Sequence, residues 1–335
     1  MKDTWAFLGW SGGKVLVGRG PFRASAVAPE SGAAFYRNDF GLSSDLPWWI
    51  PAEWALMEPA ALAREWEGEE PPRVAWEALD ASPFAGVFQE ITTSIRWGIF
   101  EKTVPVVVER GSFVAGAGPS LAVRALAGPP PLVPYGWVDG RGGFAGMSPE
   151  HLLMLEGRML RTMALAGTAR AEEREVLAVD EKEIREHEFV AQALVSKLGD
   201  LGRLERGARE VLDLGPIVHF HTPIEVALDR DESVESLIRR LHPTPALGPL
   251  PRTGETMSRL QTWRERLGAP VEFGAPFGAW VNGVARVLVA IRGVWWRGED
   301  VKLPAGCGVI EASRLVNEWR ELRLKREAVK ARFGL

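Results

Sequence analysis

Two pairs of glutamates are the residues of this chain best suited to chemistry. Glu183 and Glu186 stand in Asp180-Glu-Lys-Glu-Ile-Arg-Glu-His187, and Glu318 and Glu321 in Glu318-Trp-Arg-Glu321. A three-residue separation puts each pair on one helix face about one turn apart, and two such faces could border a single cleft. Carboxylates gathered this way repel unless a cation sits between them, and hard oxygen ligands suit Mg2+. The same spacing also serves a solvated helix face laced by ion pairs, so spacing alone leaves both readings open. Lys102 follows the helical stripe Val87, Ile91, Ile95, Ile99 and precedes the β-rich Val104–Val108, at a junction where rigid elements on both sides can aim it. There it is either a solvated cap of the helix C-terminus or, if desolvated, a general base. Glu150 opens an apolar strand; buried, it would stay partly neutral and donate a proton, and exposed it would only end a loop.

The elements that must position these residues alternate along the chain. Short strands are expected over Trp5–Trp10, Lys14–Val17 and Ala33–Tyr36, then a proline-aromatic loop at Leu46–Pro51 and a helix near Ala60–Trp66. Glu156-Gly157-Arg158 turns a hairpin whose second arm runs from Met159 to Thr168, ending in the small-residue turn Ala166-Gly-Thr-Ala169, with a hydroxyl at Thr168 and room for a ligand. The helix carrying Glu183 and Glu186 runs to Gly199, followed by a strand at Ile217–Leu228 and a helix at Ser233–Leu241. The two prolines of His242–Leu247 impose an extended path. A helix at Glu255–Leu267, an Asn282-Gly283 hairpin with Arg292 beyond its second strand, a strand at Val301–Leu303, the Gly306-Cys-Gly308 segment and a helix at Ser313–Ala331 complete the chain. Strand-rich halves with interspersed helices indicate a mixed or antiparallel sheet rather than a doubly wound nucleotide fold.

Composition narrows the function classes. Hydrophobic residues make up 46% and charged residues 25% of 335, with a formal net charge of −4, so nothing calls for nucleic acid or an anionic membrane. Cys307 is the only cysteine, which excludes an intramolecular disulfide and fits a reducing cytoplasm. No run reaches the roughly 18 apolar residues of a membrane helix. The fourteen tryptophans are packing mass for a large core.

In order and spacing, these pieces resemble the chorismate-utilising enzymes, the family of anthranilate synthase component I, aminodeoxychorismate synthase, isochorismate synthase and salicylate synthase. The resemblance runs from about Ile95 to Lys325. It rests on Ser148-Pro-Glu150, Leu165-Ala-Gly-Thr168, Lys182-Glu-x-x-Glu186-His187, His219-Phe-His-Thr-Pro223, Leu241–Leu247, Val289-Ala-Ile-Arg292, Ala305–Ile310 and Glu318-x-x-Glu321-x-x-x-Lys325. Residues 1–90 match little, so a divergent N-terminal part and a 91–335 catalytic core would share one domain. The resemblance implies an α+β fold, a large two-sheet antiparallel sandwich with outer helices. It implies Mg2+ on Glu186 and Glu321, with Glu183 and Glu318 close by through water. Chorismate would be held by Arg292, Lys325 and main-chain groups at Gly306 and Gly308, beside Thr168 and His219.

Within the family, Gly98-Ile-Phe-Glu-Lys102 puts lysine where ammonia-using members tend to carry glutamine. Water at neutral pH is a poor nucleophile and needs a base. Lys102 as that base and Glu150 as the acid describe an isochorismate synthase of a menaquinone or siderophore pathway, needing no amidotransferase subunit. Salicylate synthase, which keeps both residues and goes on to eliminate pyruvate, is the nearest alternative; an aminating enzyme is further away. Pro270, Phe273 and Gly248-Pro249 depart from the usual arginine, tyrosine and paired glycines.

Overall fold

The computed structural model describes residues 4–335. The first strands, β1 (Trp5–Gly9), β2 (Val15–Ser25) and β3 (Ala33–Arg37), lie where aromatic and small apolar residues predict them. The expected loop at Leu46–Pro51 is instead the start of a strand, β4 (Trp48–Met57), paired with both β2 and β3. Pro51 is tolerated because it faces Phe22 at a register shift in β2, where the ladder does not need its missing N–H. Next come α1 (Pro59–Arg64), β5 (Arg73–Trp76) and α2 (Ser82–Arg96), which buries Phe84, Val87, Phe88 and Ile91. Gly98, at φ +74, ends that helix, so Ile99 lies beyond it.

The chain continues through β6 (Lys102–Thr103), β7 (Val106–Ala115), α3 (Gly118–Arg124), β8 (Val133–Asp139), β9 (Gly142–Ser148), β10 (His151–Glu156) and β11 (Met159–Arg170). After α4 (Arg174–Val179) and α5 (Glu181–Leu198) follow β12 (Gly202–Arg206), β13 (Glu210–Asp213), β14 (Ile217–Leu228), α6 (Val234–Leu241) and α7 (Gly254–Arg266). The last third holds β15 (Pro276–Val281), β16 (Val284–Val289), β17 (Gly293–Arg297), β18 (Asp300–Gly306), β19 (Val309–Ile310) and α8 (Leu315–Phe333). The sequence patterns pass over β8, β12, β13 and β17.

Pairing is antiparallel throughout, in the order β5-β7-β18-β17-β9-β8-β1-β2 and then β4-β3-β15-β16-β10-β11-β14, with β12 and β13 also on β14. The two halves pack face to face: Phe35, Phe277 and Leu288 of one interleave with Leu8, Tyr135, Phe144 and Trp295 of the other. Helices α2, α5, α6 and α7 cover one outer face, and α1, α3 and the end of α8 the other. This is the expected α+β antiparallel sandwich with outer helices. Its two layers are joined by the β2–β4 ladder into one continuous series. Residues before 90 belong to the same sheet, since β1 pairs with β8 and β3 with β15. Among the described residues no helix is long and apolar enough to cross a membrane.

Candidate active site

One end of the second half-sheet positions the chemistry. The side chain of Asp180 caps α5 by accepting the Glu183 N–H at 3.0 Å. Beside it, the expected turn at Ala166–Ala169 is a bulge inside the continuous strand β11, where the register shifts between Ala166 and Thr168. Gly167 adopts φ +76, and a Cβ there would lie 2.9 Å from the Phe220 ring and 3.1 Å from the Glu183 carbonyl. That close approach lets the Thr168 N–H donate to Glu183 Oε2 at 2.8 Å.

Helices α5 and α8 bring the two glutamate pairs together, and neither pair is a solvated face: Glu186 is 6% exposed and Glu318 1%. Between them lies an ammonium the sequence reading gave no role. Lys182 Nζ is 2.7 Å from Glu183 Oε1, 3.0 Å from Glu186 Oε2 and 3.4 Å from Glu318 Oε1. Lys102 Nζ stands 3.4 Å from Glu186 Oε1, and Lys325 Nζ bonds Glu321 Oε1 and the Gly306 carbonyl, the latter at 2.9 Å. Burial, reinforced by the Glu186 charge, pushes Glu183 up to about 7, and burial pushes Glu318 up to about 8. Burial acts on Glu186 too, but Lys182 and Lys102 hold it down to about 2.

As they stand, no three His, Cys, Asp or Glu among the described residues form a group that could hold a metal ion; Lys182 fills the centre. The donor chemistry nevertheless fits Mg2+: four carboxylates, one of whose oxygens, Glu318 Oε2, is buried without a hydrogen-bond partner among the described residues.

Adjoining this cluster is a cleft of about 650 Å3 lined by Thr168, His219, Arg292, Gly306, Gly308 and Lys325, together with Glu150 and Glu186. Glu150 is 3% exposed, and burial raises its carboxyl to about 7 against the opposing pull of Lys102, Thr244, Lys325 and Arg292. Its backbone is fixed from both sides: the N–H donates to Ser148 Oγ at 3.2 Å, and the carbonyl accepts from the Val289 N–H at 3.0 Å. Lys102 does not line the cleft. It is fully buried behind Glu186 and Gly308, donating to the Pro245 carbonyl, so the desolvated alternative holds and the solvated cap does not. Gly308 has to be glycine for these two to approach, because a Cβ there would come within 1.9 Å of Glu186 Oε1 and 2.9 Å of Lys102 Nζ.

Arg292, at φ +58, is half-buried, and desolvation lowers its guanidinium to about 10. It donates to His219 Nε2 at 2.7 Å, so that nitrogen carries the lone pair and Nδ1–H donates to the Gly167 carbonyl at 2.8 Å. Burial and the charges of Arg292 and Lys325 keep the imidazole neutral, well below its usual range. With both nitrogens engaged, His219 orients Arg292. Phe273 lines the cleft and Pro270 does not; the carbonyls of both accept from Arg264 Nη2, at 2.7 and 3.4 Å.

Residues 130–333 match the sequence model described as chorismate binding enzyme, a segment that contains every residue lining the cleft but not Lys102. The chain belongs to the chorismate-binding enzyme family. Among relatives of this chain, isochorismate synthase EntC of Escherichia coli is 32% identical over 208 residues, 58% of this chain and 52% of its own. Isochorismate synthase MenF of Bacillus subtilis is 30% identical over 220 residues, 57% of this chain and 42% of its own. The chain spans about half the length of the curated relatives it matches. In fold it is similar to MenF, the menaquinone-specific isochorismate synthase from Escherichia coli, with a TM-score of 0.82 at 18% identity over 98% of this chain and 88% of that one. Anthranilate synthase component I from Streptococcus pneumoniae gives 0.68 at 16% identity, over 98% and 90%.

Proposed function

We propose that this chain is an isochorismate synthase, converting chorismate to isochorismate by adding water at C2 and losing the C4 hydroxyl. The observation that carries the reading is a buried carboxyl poised near neutrality, Glu150, in one cleft with Arg292 and Lys325 and within the electrostatic reach of a desolvated lysine, Lys102. Relatives at about 30% identity named isochorismate synthase support it.

In this mechanism Arg292 pairs with the enolpyruvyl carboxylate, its fork held in plane by neutral His219. Mg2+ on Glu183, Glu186, Glu318 and Glu321 would, when bound, neutralise a further substrate carboxylate. Lys102, whose Nζ lies against Glu186 and Gly308 of the cleft lining, takes a proton from the water that attacks C2, and Glu150 in its protonated form gives one to the departing C4 oxygen. The two ring double bonds shift by one position each. One water enters and one leaves, so the overall change is an isomerisation. Glu150 serves as the acid only while it keeps its proton, which is lost as pH rises through about 7.

Incubation of the purified chain with chorismate and Mg2+, with products resolved by chromatography in the presence and absence of ammonium, tests this. Isochorismate alone is expected. Salicylate with pyruvate would place a lyase step after water addition, and an ammonium-dependent amine product would overturn the reading.

A further inference from the structure

Lys182 is the charged group at the centre of the site that the proposed reaction does not use. Its three ammonium donors face Glu183, Glu186 and Glu318 at 2.7–3.4 Å, which exhausts them and leaves Glu318 Oε2 unpartnered. Mg2+ sits about 2.0–2.1 Å from its oxygen ligands and prefers six of them, so it cannot share these carboxylates with an ammonium in contact with the same atoms. We propose that Lys182 is a tethered counter-ion that holds the Mg2+ position in the metal-free enzyme and leaves it when the metal binds, so that Mg2+ affinity is set by competition with this chain's own ammonium. The proposal rests on the metal reading of the four glutamates given above.

The geometry supplies both ends of the movement. Lys182 lies in the first turn of α5, and its side chain is 19% exposed rather than sealed in. Next to the cleft, with Thr168 lining both, a second hollow of about 1100 Å3 runs between the α4–α5 segment and α8. It is lined by Asp180, Lys182, Glu183, Asn317, Glu318 and Glu321 among others. A compact ammonium on a flexible four-carbon stem can swing into that hollow and be solvated there. Lys102 and Lys325 would stay, since each is tied to one glutamate and to a backbone carbonyl. The arrangement also lets four facing glutamates fold together without metal.

Calorimetric titration of the full chain with MgCl2 after chelator treatment, for wild type, Lys182→Met and Lys182→Arg, is the test. Lys182→Met should bind Mg2+ on the order of ten- to a hundredfold tighter, as charge-assisted hydrogen bonds no longer have to be broken. Its metal-free form should melt lower and gain more from Mg2+ than wild type, whereas Lys182→Arg should bind no tighter than wild type. Independently, acetylation of Lys182 in the wild-type chain, followed by mass spectrometry, should accelerate when Mg2+ is added. Equal or weaker Mg2+ binding by a natively folded Lys182→Met overturns the proposal, and so does an acetylation rate that Mg2+ leaves unchanged or lowers if that variant does not fold. Wild type that binds no Mg2+ would sink the metal reading itself, whereas wild-type binding that Lys182 does not influence sinks this proposal alone.

Discussion

Replacing Glu150 by glutamine separates its electrostatics from its packing. The carboxyl moves from an ordinary 4.5 to about 7 on folding, chiefly through burial. A raised folded-state value means that the native chain binds the extra proton between those limits, so this contribution to stability is complete below 4.5 and is lost as pH rises through 7. At about 1.4 kcal/mol per pH unit the whole effect is about 3 kcal/mol, most of which falls between pH 5 and pH 8. Glu183 and Glu318 titrate in the same direction and stay in the variant, so the comparison must be a difference. Urea unfolding of wild type and Glu150→Gln at pH 5 and pH 8, in chelator, should show the variant losing about 2 kcal/mol less than wild type over that range. In the same variant chorismate binding should persist while turnover stops, because an amide fills the site but supplies no acidic proton. Identical pH dependence of unfolding in the two proteins would refute the perturbed carboxyl, and normal kcat would refute its role as acid.

Lys102→Gln should lower kcat by about 10²–10⁴-fold and cost about 1–3 kcal/mol of stability, because Glu186 and the Pro245 carbonyl lose a buried charged donor; near-wild-type turnover would remove Lys102 from the mechanism. Gly308→Ala drives a methyl into Glu186 Oε1 and Lys102 Nζ, so kcat should fall at least about tenfold for a stability loss of only about 1–3 kcal/mol. An active Gly308→Ala enzyme would show that these two groups need not approach each other. Arg292→Lys loses the planar fork that His219 steadies, and KM for chorismate should rise about tenfold or more in steady-state assays. Glu321→Gln should weaken Mg2+ binding measured by calorimetry, and an unchanged affinity would put the ion elsewhere.

Local pattern was enough for much of this chain. The four-residue stripe through Val87 and Ile91 placed α2, and Asn282-Gly283 placed the β15–β16 hairpin, since periodicity and turn chemistry act over a few residues. Order and spacing of short motifs carried the family and nearly every residue of the cleft. Pairing between distant segments was not legible. Trp48–Pro51 reads as a loop because prolines flank it, and it becomes a strand only because a bulge in β2 lies opposite. Gly167 reads as a turn, and the β14 ladder makes it a bulge that brings Thr168 to Glu183. The spacing of the glutamates left open whether they faced solvent or each other. Burial of α5 against the sheet and the approach of α8 decided that, and with it the charge states. A carboxyl's proton affinity depends on its desolvation and on which ammonium stands beside it, and both are properties of three-dimensional neighbours rather than of sequence. For the same reason Lys182, adjacent to Glu183 in the chain, could be seen as the cation between the carboxylates of Glu183, Glu186 and Glu318 only after the fold had closed around it.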